Sequence, residues 1–209
     1  EWQHAWTLAK ENDSAFWLDQ TRRLITWTTS PSIGRVGDFD TIGTAPIRWF
    51  EDGRLNVTVS CLDRHVVDHA DKTAIIWCGD EPDTQRMISY RELLSEVNQV
   101  ANALVQLGVS VGDRVIIYMG MVPEAAIAML ACARIGAVHS VIFGGFSAAA
   151  IGDRIDDCDA RVIITQDEGR RGGRTIPLKS IVDKAIADRE IDAMLVYKHT
   201  GADVGMQLG

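Results

Sequence analysis

Three arginines and three glycines fall within Gly-Arg-Arg-Gly-Gly-Arg-Thr-Ile-Pro-Leu-Lys, residues Gly169–Lys179. Guanidinium forks match phosphate oxygens in a way an ammonium does not, and glycine lets the backbone approach a ligand closely. The stretch Gly169–Lys179, with Arg170, Arg171 and Arg174, therefore has the composition of an anion clamp. A solvated basic loop on an acidic protein has the same composition, and an isolated Arg/Gly run does not separate the two.

A second stretch, Phe143-Gly144-Gly145-Phe146-Ser147, sets two glycines just ahead of a helix start, where free N–H groups favour an anion. A tight strand-to-helix turn asks for the same residues. Neither stretch supplies the Gly-x-Gly-x-x-Gly of a dinucleotide site, and no Gly-Lys-Ser or Gly-Lys-Thr of a Walker-type loop occurs in the chain. The remaining titratable residues read as structural. His65 and His69 stand one helical turn apart without a third ligand, and His139 lies in an apolar run. Asp153, Asp156 and Asp157 flank Arg154 as surface ion pairs. Cys61, Cys78, Cys132 and Cys158 are scattered with no Cys-x-x-Cys, which fits small core residues of a reducing compartment rather than a metal or disulfide set.

Alternating strands and helices are what would hold these two polar stretches in place. Thr73–Cys78 reads as a strand and Gly79–Gln85 as a turn. Ser89-Tyr90-Arg91-Glu92 is a capping box opening a helix with Leu93, Val97, Val100, Leu104 and Leu107 on one face, and Gly108 is its stop. Arg114–Met119 is a second strand. Pro123 starts a helix that ends at Gly136, Val138–Phe143 is a third strand, and Ser147 caps a helix carrying Ile151 and Ile155. Arg161–Thr165, Leu178–Arg189 and Ala193–Tyr197 add a strand, a helix and a strand. Continuous apolar strands between helices imply an α/β fold, a mainly parallel sheet flanked by helices on both faces. In such sheets ligands bind beyond the carboxyl ends of the strands, where both polar stretches fall. A Gly-rich loop without a closing partner is expected to be mobile over Gln166–Arg174.

The amino-terminal part, Glu1–Asn56, differs in character. It holds five of the six tryptophans (Trp2, Trp6, Trp17, Trp27 and Trp49) without strand-helix alternation, and reads as a wrapping arm of short helices and loops pinned by aromatic anchors. The expected division is 1–56 for this arm and 57–209 for the α/β part. A length of 209 residues with 46% hydrophobic content fills a sizeable core. A net charge of −8 argues against nucleic acid and anionic membrane surfaces as partners, and no apolar run is long enough to span a bilayer. The expected compartment is the cytoplasm.

Several runs resemble one family in order along nearly the whole chain. They are Trp49–Asn56, Cys61-Leu62-Asp63-Arg64-His65, Gly112-Asp113-Arg114-Val115, Ala128–Ala137, Val138–Ser147 and Thr165–Lys179. Together they are similar to the amino-terminal part of the acetyl-coenzyme A synthetase family, within the adenylate-forming enzymes. The resemblance implies a ligase that joins acetate to AMP from ATP and passes the acetyl group to coenzyme A. It implies that Phe143, Gly144 and Gly145, with Arg171, Gly172, Gly173 and Arg174, border the coenzyme A nucleotide, and that no catalytic or metal-binding residue lies in this chain. One departure is Ser60 ahead of Cys61-Leu62-Asp63-Arg64, where the family commonly has Asn. The family's phosphate loop, its ATP and Mg2+ contacts, its acyl pocket and its catalytic lysine match nothing here. The chain is therefore expected to be a fragment with a partial coenzyme A site, inactive without the remainder of its own chain. A propionyl-coenzyme A synthetase fragment and a non-catalytic nucleotide-binding module remain open beside this reading.

Overall fold

The computed structural model describes residues 2–37, 47–81 and 83–206. Part of the Trp-rich stretch and one residue of the 79–85 turn lie outside the described residues. Two compact units divide the chain, Glu1–Arg64 and His65–Gly209.

In the first unit, α1 (Trp2–Glu11) and α2 (Asp13–Leu24) are separated by Asn12, whose side chain accepts from the Ala15 N–H at 3.0 Å and so caps α2. Among the described residues that follow, β1 (Arg35–Val36) and β2 (Arg48–Trp49) form an antiparallel pair of two-residue strands. Rings supply much of its packing: Trp27 meets Phe50 edge-on at 6.0 Å, and Trp49 lies 5.6 Å from Phe50. The Asp52 carboxylate accepts from the Ser32 N–H, the Ser32 hydroxyl and the Ile33 N–H. Trp2 and Trp6 stay exposed on α1. A π-helical turn, Val59–Asp63, whose buried residue is Leu62, leads to α3 (Arg64–His69).

The second unit carries the alternation. An antiparallel hairpin, β3 (Thr73–Cys78) and β4 (Gln85–Ser89), runs into α4 (Tyr90–Gln106). The capping box at its start is formed on both sides: Ser89 Oγ accepts from the Glu92 N–H, and the Glu92 carboxylate accepts from the Ser89 N–H at 2.8 Å. Then come β5 (Arg114–Met119), α5 (Pro123–Ile135, closed by Gly136), β6 (Val138–Phe143), α6 (Ala148–Cys158, capped by Ser147) and β7 (Val162–Gln166). A short hairpin of β8 (Gly169–Arg171) and β9 (Arg174–Ile176), α7 (Leu178–Ala185) and β10 (Ala193–Tyr197) complete the described elements.

Strands β10, β7, β5 and β6 form one sheet in that order, parallel throughout. Central β5 is buried on both faces because helices cover both. Ile116 and Tyr118 pack with Ile151 and Ile155 of α6 and Leu178 and Val182 of α7. Val115 and Ile117 point the other way by strand alternation, to the side of α5, which α4 backs with Leu93, Val97 and Leu104. Burial of each such aliphatic side chain contributes about 1.5–3 kcal/mol.

Four features differ from the sequence reading. The run Val138–Phe143 is an edge strand, with Val138, Val141 and Phe143 about half exposed at 55%, 48% and 49%, although its apolar composition suggested a buried strand. Strand β4 was hidden between the expected turn and the capping box. The residues Gly169–Ile176, read from sequence as a loop, form a hairpin, and the helix after it stops at Ala185 rather than Arg189. Among the described residues no helix is long and apolar enough to cross a membrane.

Candidate functional site

A cavity of about 1200 Å³ opens at the carboxyl ends of β5, β6 and β7. Its walls come from the β3–β4 turn (Asp80, Glu81), the segment after β5, the end of β6 with Phe143 and Gly144, and β8 with Arg170 and Arg171. The glycine stretch and the arginine stretch thus do meet at one opening. Gly145, Gly172, Gly173 and Arg174 lie beyond the lining itself, on the two loops that bound it.

The glycine loop is held from below by Tyr118, whose ring is fully buried in β5. Its hydroxyl donates to the Phe146 carbonyl at 2.9 Å and accepts from the Gly145 N–H at 3.1 Å. Burial pushes the phenol above its usual range, against the opposing effect of the Gly145 N–H, so it stays protonated and able to donate. Gly144 is demanded by close approach: a Cβ there would sit 2.8 Å from the Met119 carbonyl oxygen. That loop therefore lies directly on the end of β5, and Phe143 and Phe146 meet edge-on at 6.2 Å.

The ends of β5 and β7 are stitched by Gln166, which accepts from the Gly120 N–H at 2.9 Å and donates to the Glu168 carbonyl at 2.7 Å. Beside it the buried Asp167 carboxylate collects N–H bonds from Glu168, His199, Thr200 and Gly201. Burial alone would raise its pKa, but those amides hold it below the ordinary carboxylate range. This anchor fixes where the chain leaves β7 for the arginine hairpin.

In the hairpin, Arg171 faces Arg174 across the two strands, and Gly172 and Gly173 make the turn with φ of 55° and 72°. Two positive-φ residues are what a two-residue hairpin turn needs, and glycine supplies them without strain. Arg170, on the opposite face, pairs with Glu81 at 3.2 Å. Among the described residues neither Arg171 nor Arg174 has a carboxylate partner. The Arg171 guanidinium instead lies over the Phe143 ring, 5.1 Å from its centre. Two like charges directly opposite in a ladder repel. A hairpin that keeps them so, at the mouth of a cavity, is suited to an anion with more than one charged oxygen.

The other sequence candidates fall away from this opening. His65 lies tilted against Tyr90, with ring centres 5.0 Å apart, and Asp156 pairs with Arg189 at 2.8 Å rather than with its neighbour Arg154. No cluster of three metal-ligating side chains occurs among the described residues. A cleft of about 520 Å³ between α1 and α2 is lined mainly by apolar atoms and brings together no comparable set of unpaired charges. Tyr118, Gln166, Asp80 and Glu81 escaped the sequence reading. A tyrosine inside an apolar strand is itself a signal, since a buried hydroxyl needs a partner; the other three carry no local mark.

The chain matches two family models. Residues 62–208 match the AMP-binding enzyme model, and residues 2–61 match the model for the acetyl-coenzyme A synthetase N-terminus. Acetyl-coenzyme A synthetase of Halorhodospira halophila is 48% identical over 210 residues, covering 100% of this chain and 32% of the relative. The enzyme of Xanthobacter autotrophicus is 49% identical with the same coverage, and that of Pseudoalteromonas atlantica is 50% identical over 93% of this chain and 30% of the relative. The chain thus spans about a third of the length of these relatives.

Proposed function

The chain belongs to the AMP-binding enzyme family, and from that premise we propose that it supplies one wall of the coenzyme A site of an AMP-forming acetate–coenzyme A ligase. The single observation that carries the reading is Arg171 and Arg174, without a carboxylate partner among the described residues, set side by side on a hairpin, with Arg171 against Phe143 beside the glycine loop. Coenzyme A brings a diphosphate and a ribose phosphate joined to an adenine. Two guanidinium forks answer phosphate oxygens, each such charged contact contributing about 1.5–3 kcal/mol, and the exposed Phe143 and Phe146 rings offer apolar faces to the base.

In the reaction of such a ligase, acetate displaces pyrophosphate from ATP to give acetyl-adenylate, and the coenzyme A thiol then attacks the acetyl carbon as AMP leaves. The residues of this chain act in the second step alone: they bind and orient the nucleotide end of the thiol donor. ATP and its Mg2+ are assigned to residues that the 209 do not include, so this chain alone is expected to form no acetyl-coenzyme A. The unpaired arginines also explain how a protein with a net charge of −8 takes an anionic ligand, by a local cluster.

The test uses the two half-reactions of a whole ligase carrying this segment. Arg171→Ala is expected to raise the KM for coenzyme A about tenfold or more while acetate-dependent ATP–pyrophosphate exchange stays near wild type. Equal loss of both half-reactions would assign the hairpin to the scaffold or to the ATP site instead.

A further inference from the structure

The tip of the arginine hairpin is not free. Asp80, on the β3–β4 turn, points one carboxylate oxygen at each turn amide: Oδ1 accepts from the Gly172 N–H at 3.0 Å and Oδ2 from the Gly173 N–H at 2.9 Å. Next to it Glu81 holds Arg170. These contacts join residues about ninety positions apart and tie the two hairpins together across the cavity wall.

Such a tie answers a specific weakness. Strands of three residues make a marginal hairpin, and the opposed Arg171 and Arg174 repel each other across it. In a two-residue turn the two central N–H groups point outward and take no part in the ladder. A carboxylate seated on both supplies charge-assisted bonds where the hairpin has none of its own, and it places a negative charge behind the turn while the arginines stay unpaired. The same amides hold the Asp80 carboxyl below the usual carboxylate range, Gly173 more than Gly172, with Arg170 adding to the effect.

We propose that Asp80 and Glu81 are positioning residues for this site: an internal anion clasps the turn of the arginine hairpin and so presents Arg171 and Arg174, already ordered, to a phosphate-bearing ligand. The proposal rests on the reading of those two arginines as phosphate ligands. It makes a prediction of sign. A carboxylate that merely sat near an anionic ligand would weaken binding by repulsion, and its removal would tighten it. A clasp preorganises the arginines, and its removal loosens binding because the ligand must then order the hairpin itself.

The experiment compares the wild-type chain with Asp80→Asn, which keeps one acceptor oxygen, and Asp80→Ala, which keeps none. Asp80 is exposed, so both variants are expected to fold with an unchanged thermal midpoint. Amide exchange at Gly172 and Gly173 reads the clasp, and titrations with coenzyme A and with inorganic pyrophosphate read the site. In Asp80→Ala the two amides are expected to lose protection, and the affinity for each probe to fall about tenfold, with Asp80→Asn between it and wild type. Unchanged protection, or equal or tighter binding by Asp80→Ala, overturns the clasp. So does wild-type binding of neither probe, since nothing would then be positioned. Wild-type binding of pyrophosphate without coenzyme A sinks the coenzyme A reading while leaving the clasp to be judged on its own variants.

Discussion

Removing one oxygen from the floor of the site tests how the glycine loop is held. In Tyr118→Phe the ring keeps its place in a fully buried strand, so packing is nearly conserved and the lost hydroxyl is the perturbation. Two bonds go with it, to the Phe146 carbonyl and from the Gly145 N–H. A protein hydrogen bond contributes about 0.5–1.5 kcal/mol net, and a buried group left unpaired costs about 1–3 kcal/mol. Gly145 and Phe146 are both exposed, so water can reach the groups left behind and the loss is that of the two bonds themselves. The sum is about 2 kcal/mol. For a chain of this size that corresponds to a fall of roughly 4–8 °C in the unfolding midpoint. Thermal unfolding by circular dichroism reads the midpoint, and amide exchange at Gly145 reads the loop directly, with faster exchange expected there than at the β5 amides. A midpoint within one degree of wild type (about the precision of such a scan), together with unchanged protection at Gly145, would refute the reasoning, since the hydroxyl would then not be what seats the loop.

Two further perturbations follow from geometry. Gly144→Ala sets a Cβ against the Met119 carbonyl, backbone against backbone, so the loop must lift off β5; a loss of about 1–3 kcal/mol in urea unfolding is expected, and a neutral result would show that the loop has room. Tyr197, beside Glu124 and near Arg86 and Glu96, has its phenol pushed up to about 12 by burial first and by the Glu124 charge next. Because the folded value lies above the unfolded value of about 10, its contribution to stability is complete below pH ~10 and is lost as the pH rises through about 12. The stability difference between wild type and Tyr197→Phe should therefore be constant below pH ~10 and shrink above it, and a difference flat across that window would contradict the assignment.

Much of the fold was legible because its signals are local. Ser89 and Glu92 mark one helix start, Pro123 and Gly136 bracket another helix, and Val138–Phe143 was bounded to the residue. What escaped depends on partners distant in sequence. Gln85–Ser89 becomes a strand only by pairing with Thr73–Cys78. The arginine stretch becomes a hairpin because Gly172-Gly173 makes the turn and Asp80, far upstream, clasps it. The exposure of β6 follows from its place in the strand order, which apolar composition does not encode. For the site, the residue types were readable at Phe143–Gly145 and Arg171–Arg174, but their meeting at one cavity, and the roles of Tyr118 and Asp80 beneath them, required the topology.

The most direct measurement is a titration of coenzyme A into the isotope-labelled chain, following backbone amide shifts at low and moderate salt. The coenzyme A wall predicts shifts concentrated at Phe143–Gly145 and Arg171–Arg174, weakened by salt and lost in the Arg171→Ala, Arg174→Ala double variant. No shift at either stretch, shifts that ignore salt, or shifts centred on the α1–α2 cleft would contradict it.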